Sequence, residues 1–250
     1  MFDVLKKGFL KKGVVTTKYP AEPFRPVDRF LGRPAVDKSL CDSCKKCVAA
    51  CPTGAINDQI DISLGRCIFC GACAEACPKA MKMTGEFELA SKAKPDFGSD
   101  VDAAGRAMEK KIMKAFGRSL AIREVDAGSC NGCEVEVNAL SNAIYDIERF
   151  GLHIVASPRH ADALLVTGPV TRNMERGLLQ SYKATPNPKM VIAMGACAIT
   201  GGIFRDSYAV LNGVDSLVSV DVYIPGCPPR PQAIIQGIML AIDKWETKKK

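Results

Sequence analysis

Long apolar runs are missing from this 250-residue chain. Although 47% of its residues are hydrophobic, no uninterrupted stretch approaches the roughly 18–20 residues that a membrane-crossing helix needs. The N-terminus also lacks the apolar core and small-residue cleavage site of a secretory signal, so a cytosolic location is expected. Aromatic residues are scarce at 6%, and the lysines gather at the chain ends, which leaves nucleic-acid binding without support. Only two histidines occur, His153 and His160; both sit at or beside strand-like runs with no paired serine or acid, and they read as structural. No G-x-G-x-x-G follows a strand and there is no P-loop, so bound nucleotide or flavin is not indicated.

Cysteine, by contrast, is abundant: twelve residues. A reducing cytosol disfavours disulfides, and the spacings are tighter than a disulfide framework requires, so metal is the better reading. The net charge of +7 comes from 34 basic against 27 acidic residues. Both ends are basic, with Lys6, Lys7, Lys11 and Lys12 at one and Lys244, Lys248, Lys249 and Lys250 at the other. Such ends chiefly favour solubility, with a membrane surface or an acidic partner as the alternative.

Eight of the cysteines form a repeat. "CDSCKKCVAACP" at 41–52 and "CIFCGACAEACP" at 67–78 both read C-x2-C-x2-C-x3-C-P, offset by 26 residues. This is the two-cluster ferredoxin run, in which the fourth cysteine of each run crosses to the other cluster. One [4Fe–4S] cluster is thus assigned to Cys41, Cys44, Cys47 and Cys77, and the other to Cys67, Cys70, Cys73 and Cys51. Three closely spaced thiolates wrap three corners of a cube, and small residues such as Gly71, Ala72 and Ala74 let backbone N–H groups approach the sulfurs. A pair of zinc sites would call for C-x2-C pairs without the inserted third cysteine.

These runs resemble the bacterial eight-iron ferredoxin fold, and more closely the ferredoxin-like subunit of complex I and its hydrogenase relatives. The stretch 13–34 resembles that family's extended arm through Tyr19-Pro20 and Phe30 through Pro34. Ahead of it, Phe2, Leu5 and Phe9 have helical spacing, which suits a short helix on an anionic membrane surface or a frayed terminus. Residues 85–98 have no sustained period and read as a loop between domains. After it, Val101, Met108, Ile112 and Phe116 mark a structural helix. The expected division is therefore 1–84 for the arm and a small α+β ferredoxin-like domain, 85–117 for linker and helix, and 118–250 for a second domain.

In that last stretch, "SLAIREV", "HIVAS", "ADALLVT", "KMVIAM" and "DVYI" are strand-like, each ending at a glycine- or proline-marked loop. Helical stretches alternate with them: Val137, Leu140, Ile144 and Ile147 in a helix that Gly151 ends, and Ile234, Ile238 and Ile242 in the last helix. The alternation predicts an α/β fold with a mostly parallel open sheet of flavodoxin-like type, and ligands beyond the carboxyl ends of the strands. Cys130 and Cys133 follow the first strand, Cys197 the fourth and Cys227 the fifth, so all four converge on one edge. They are assigned to a third [4Fe–4S] cluster, with zinc as the main competitor. Gly132, Gly195 and Gly226 keep side chains from blocking the site, and the helix beginning at Cys133 turns its N–H dipoles toward it.

"SCNGCEVEV", "MGACAITGG" and "PGCPPRP" resemble the small, electron-transferring subunit of membrane-associated energy-converting [NiFe] hydrogenases of the formate hydrogenlyase type, homologous to the 20 kDa subunit of complex I. With the ferredoxin half the resemblance covers nearly the whole chain, as in a fusion of two subunits usually separate. Complex I relatives place their first two ligands side by side, whereas Asn131 and Gly132 intervene here, as in the hydrogenases. The resemblance implies an oxidoreductase subunit that carries no catalytic residue of its own. It relays electrons from a soluble donor or formate dehydrogenase module to the nickel–iron site of a partner large subunit, among other subunits of a membrane-associated complex. Its implied location is peripheral, on the cytoplasmic side of the inner membrane. A complex I-like quinone oxidoreductase subunit and a free ferredoxin-type carrier are the rival readings. Glu134 and Glu136 are candidates for a proton or partner-interface role, or for a solvated first helical turn. Arg230 reads as a cluster or partner contact, or as a plain surface arginine.

Overall fold

The computed structural model describes residues 14–94 and 117–248. The surface helix expected around Phe2–Phe9 and the helix marked by Val101–Phe116 lie outside them. Among the described residues no helix is long and apolar enough to cross a membrane.

The N-terminal part has little regular structure. Strands β1 (Pro34–Val36) and β2 (Met81–Met83) pair antiparallel. Between them lie two very short helices, α1 (Lys46–Ala49) and α2 (Ala72–Ala76), each preceded by a left-handed residue, Lys45 and Gly71 respectively. Its core is correspondingly small and is built around Cys47, Ile56, Ile60 and Met81.

The C-terminal part is a five-stranded sheet formed by β3 (Leu120–Asp126), β4 (Leu152–Ile154), β5 (Ala163–Thr167), β6 (Met190–Met194) and β7 (Val222–Ile224). Its order is β4-β3-β5-β6-β7 and every pairing is parallel, which is the flavodoxin-like order. Strands β5 and β6 are buried along their whole length, as parallel strands covered on both faces must be. Successive residues face opposite cores: Leu165 and Ile192 pack with α6 (Pro231–Lys248), while Leu164, Val166 and Val191 pack with Leu178 of α4 (Arg172–Ala184). The remaining helices, α3 (Gly132–Ala139) and α5 (Gly195–Thr200), leave the carboxyl ends of β3 and β6.

One expected helix is interrupted. The pattern Val137, Leu140, Ile144, Ile147 predicts a single helix up to Gly151, but α3 stops at Ala139 and only a 3-10 turn, Ile147–Phe150, precedes Gly151. Asn142 is the cause: its Oδ1 accepts the backbone N–H groups of Ile144 and Tyr145 and so competes with the helical ladder. Val137, Leu140 and Ile147 are nevertheless buried, so the pattern marks the core even though the helix breaks.

Residues 85–94 carry no regular element, yet they are not slack. Phe87, Leu89, Ala90 and Ser91 are buried, and Ser91 exchanges two backbone hydrogen bonds with Tyr223 of β7, at 3.0 and 2.8 Å. The arm is tied down too: Arg149 donates to the carbonyls of Thr17 and Tyr19, and the Tyr19 hydroxyl donates to Glu88 at 2.6 Å.

Candidate metal centres

In the N-terminal part the fold brings sequence-distant thiols together. Burial raises the Cys47 thiol, and the charges of Cys77 and Cys41 add to it, so the last cysteine of the second run lies beside the first run. Conversely, the Cys67 thiol is pushed up to about 12 by burial, with Cys73, Cys51 and Cys70 adding their charges. Cys73 is raised by burial and by Cys70 and Cys51. Burial also pulls Cys51 up, but N–H groups aimed at its sulfur outweigh this, and its thiol is lowered. The Ala55 N–H lies 3.2 Å from that sulfur, and the Phe69 N–H lies 3.3 Å from Cys67 Sγ. Cys44 is exposed.

The C-terminal quartet is assembled at the carboxyl edge of the sheet. After β3, Asp126 Oδ1 accepts the N–H groups of Gly128 and Ser129 and turns the chain sharply into α3. This turn presents Cys130 and Cys133. Burial raises the Cys133 thiol, and Glu134, Cys197, Cys227 and Cys130 raise it further. Cys197 is pushed up to about 11 by burial and then by Cys227, Cys130 and Glu134. The Cys227 side chain is open to solvent, yet the protein crowding its sulfur raises the thiol, and Cys130 and Cys70 add to this. Cys70 belongs to the other half of the chain, and its neighbours Ile68 and Phe69 line one cavity with Cys227.

The space around these sulfurs is shaped. Gly195 has φ +89°, and a Cβ there would lie 2.9 Å from Cys133 Sγ; at Gly202, with φ +55°, it would lie 2.8 Å from Cys197 Sγ. Both positions need glycine for the backbone and for the cradle. Thiols held this far above their ordinary range stay protonated near neutral pH unless iron binds them, since a coordinating thiol is deprotonated outright. Cys130, Cys133, Cys197 and Cys227 come from three separate loops and lie near enough for their charges to raise one another. A four-iron cube takes such a set with one thiolate at each corner. The donor set therefore fits iron–sulfur clusters.

The neighbouring charges differ from their expected settings. Glu134 is not in a solvated turn: it is buried, its Oε1 accepts the Thr167 hydroxyl, and its Oε2 has no partner within the protein. Glu124 faces it with a partnerless buried Oε1, and its carboxyl is raised by burial and then by Glu134 and Asp126. Sequence reasoning missed Glu124 and Thr167; the signal available was a charged residue in the middle of an apolar strand. Glu136 is half-buried, and its carboxyl is raised by burial and partly restored by Arg230. Arg230 is no plain surface residue, for its guanidinium carbon lies 4.5, 4.8 and 5.1 Å from the ring centres of Phe24, Phe30 and Phe87. Of the two histidines, His153 has its Nδ1 3.9 Å from Glu148 and His160 ends a 3-10 turn, Pro158–His160.

An iron–sulfur oxidoreductase subunit is the class that this sheet and its cysteine sets define, and comparison with known proteins agrees. Residues 130–241 match the family of the NADH ubiquinone oxidoreductase 20 kDa subunit, and residues 33–78 match the 4Fe-4S dicluster domain. The chain is 48% identical over 142 residues to the probable membrane-bound hydrogenase subunit mbhJ of Pyrococcus furiosus, covering 56% of this chain and 85% of that one. It is 47% identical over 148 residues to formate hydrogenlyase subunit 7 of Escherichia coli, covering 59% of this chain and 58% of that one. An NADH-quinone oxidoreductase subunit of Geotalea daltonii is 49% identical over 112 residues, or 45% and 65% of the two chains. The chain belongs to the 20 kDa subunit family, whose members are subunits of hydrogenase and NADH-quinone oxidoreductase complexes.

Proposed function

We propose that this chain is the electron-relaying subunit of a membrane-associated [NiFe] hydrogenase, holding three [4Fe–4S] clusters on Cys41/Cys44/Cys47/Cys77, Cys51/Cys67/Cys70/Cys73 and Cys130/Cys133/Cys197/Cys227. The observation that carries this reading is that the turn bearing Cys70 and the Cys227 loop line one cavity, which puts the N-terminal thiols next to the C-terminal set. Each bound cluster supplies a one-electron redox couple. The chain's own work is to fix the order and spacing of the sets. Exposed Cys44 lies at the end that receives electrons from a reduced soluble carrier or a formate dehydrogenase module. The rim around Cys133 and Cys197 lies at the end that passes them to a nickel–iron site on a partner large subunit, where protons are reduced, or in the reverse direction.

The sheet's outer rim supports that partner. Val135, Ile203, Phe204 and Tyr208 are exposed apolar side chains, and Ile203 directly follows Gly202, which abuts Cys197 Sγ. Exposed apolar side chains of this size fit a protein interface. Glu134 and Glu136 stand beside it as candidates for proton handling or partner contact. Attachment to the cytoplasmic face of the membrane through other subunits completes the reading.

The insertion of Asn131 and Gly132 between the first two cysteines favours hydrogenase over a quinone-reducing complex, although the similarity to an NADH-quinone oxidoreductase subunit keeps the latter as the second reading. A copurifying large subunit with two C-x2-C pairs selects hydrogenase. In the assembled complex, Cys197→Ser should abolish hydrogen-dependent viologen reduction while the two N-terminal iron–sulfur signals persist in EPR. Full activity of that variant would overturn the proposal.

A further inference from the structure

Phe30 and Phe87 stand where the chain enters and leaves the N-terminal cluster-bearing part. Just inside them the two passing chains are laced into a neck: the Gly32 N–H donates to Thr84 O at 2.9 Å, Arg33 N–H to Glu86 O at 2.9 Å, and Thr84 N–H to Arg33 O at 3.0 Å. A Cβ at Gly32 would lie 2.3 Å from Glu86 O, so nothing larger than glycine permits this approach. Both phenylalanines, together with Phe24 of the arm, pack around the Arg230 guanidinium, which also donates through Nε to Gln232 at 2.8 Å.

Arg230 is in turn joined stiffly to Cys227. The intervening sequence is Pro228-Pro229, and Pro231 follows, so most of the φ angles between the thiol and the guanidinium are locked. Gly226 folds the loop tightly, since a Cβ there would lie 2.4 Å from the backbone of Pro229. At its other end the loop is fastened by the Ala196 N–H, which donates to Gly226 O at 2.9 Å. A cavity of about 210 Å³ is lined by Ile68 and Phe69, beside Cys70, together with Cys227, Pro228 and Arg230. Elsewhere the boundary is held by Leu64, with Ile62 and Phe69, packing into the C-terminal core and by Thr200 Oγ1 donating to Gly65 O at 2.9 Å, which leaves Arg230 as the tie on the Cys227 side.

We propose that Arg230 is a positioning residue: it pins the neck of the N-terminal part to the Cys227 loop and so sets the separation of Cys70 and Cys227, across which electrons pass between the halves. This rests on the relay reading above. Cation–π contact with three rings holds the partly desolvated guanidinium in place, and lysine keeps the charge but loses the planar stacking.

The test uses the full chain, loaded with iron, as wild type, Arg230→Ala and Arg230→Lys. Iron content and the midpoint potential of each cluster are measured first. The rate of internal electron handover after photoreduction by deazaflavin follows, together with the spin–spin coupling between reduced clusters in EPR. Arg230→Ala should keep its iron and its potentials, lose the coupling, and slow handover about tenfold by depopulating the docked arrangement. Arg230→Lys should recover most of the rate. An unchanged rate and coupling in Arg230→Ala, or loss of iron from the Cys227 set, would overturn the pin. Absence of any coupling in the wild type would defeat the relay reading itself.

Discussion

The two halves of the molecule gather cysteines by opposite means. In the N-terminal part eight thiols lie between Cys41 and Cys77, held by loops, two helices of four and five residues and a pair of three-residue strands. In the C-terminal part four thiols spread from Cys130 to Cys227 are collected by a sheet whose strands are already buried. Sequence proximity does in one half what tertiary packing does in the other. The consequence is thermodynamic: the first half has too little apolar core to stand without its metal, while the second presents a finished scaffold to it.

Stripping the iron should therefore break the comparison open, and this is the largest effect expected. With chelator and oxidant, amides in 41–78 should lose protection from hydrogen exchange by about 100-fold or more, because folding of such metal-dominated segments is coupled to metal binding. Amides of Leu165 and Ile192, in the middle of the sheet, should stay protected. Retained protection in 41–78 would mean that the small core around Ile56, Ile60 and Met81 suffices by itself.

A pair of glycine substitutions sharpens the contrast at lower amplitude. Gly195→Ala places a Cβ 2.9 Å from Cys133 Sγ on a backbone with φ +89°. The thiol or the loop has to move, so iron should be lost from the C-terminal set while the N-terminal EPR signals remain. Gly54→Ala, near Cys51, meets nothing within 4 Å and has only its φ of +57° against it. It should cost about 1 kcal/mol, the usual penalty for a left-handed alanine, and keep all its iron. Equal iron loss in both variants would remove the distinction between a loop-built and a scaffold-built site.

How much of this could be read from the chain alone follows the same division. The repeat and its spacing suggest a grouping of the N-terminal cysteines, and the strand-like runs before Cys130, Cys197 and Cys227 are enough to place those residues at one edge, since strand ends in a parallel sheet share a side. Period reasoning failed at Asn142, where a single side chain competes with the helix, and could not foresee that Phe87–Ser91 would be buried, because a stretch without period gives no face to assign. The ring box around Arg230 was illegible for another reason. Phe24, Phe30 and Phe87 are linked to position 230 by no local rule, only by the way the neck folds back against the loop.

The smallest expected effect concerns pH, and here the halves should respond in opposite senses. On the N-terminal surface, the carboxyls of Asp37 and Asp58 are lowered by hydrogen bonds, from Ser39 and Lys45 respectively. A lowered carboxyl contributes stability that is present above its unfolded value and fades as pH falls, and at exposed positions salt screens most of it. Glu124 in β3 is raised, first by burial and then by Glu134 and Asp126, with Arg123 working against them. The sign reverses accordingly. Below an unfolded carboxyl pKa of about 4.3 the group is neutral in both states and costs nothing, whereas with rising pH the folded state must ionise a crowded acid or hold its proton, and stability is lost. Glu124→Gln keeps the shape and removes the titration. Thermal unfolding of the C-terminal part should therefore match wild type near pH 4 and exceed it near pH 8, by less than about 1 kcal/mol because the side chain is half-exposed. A gain of the same size at both pH values would trace to packing rather than charge, and would leave the two halves alike in their response to acid.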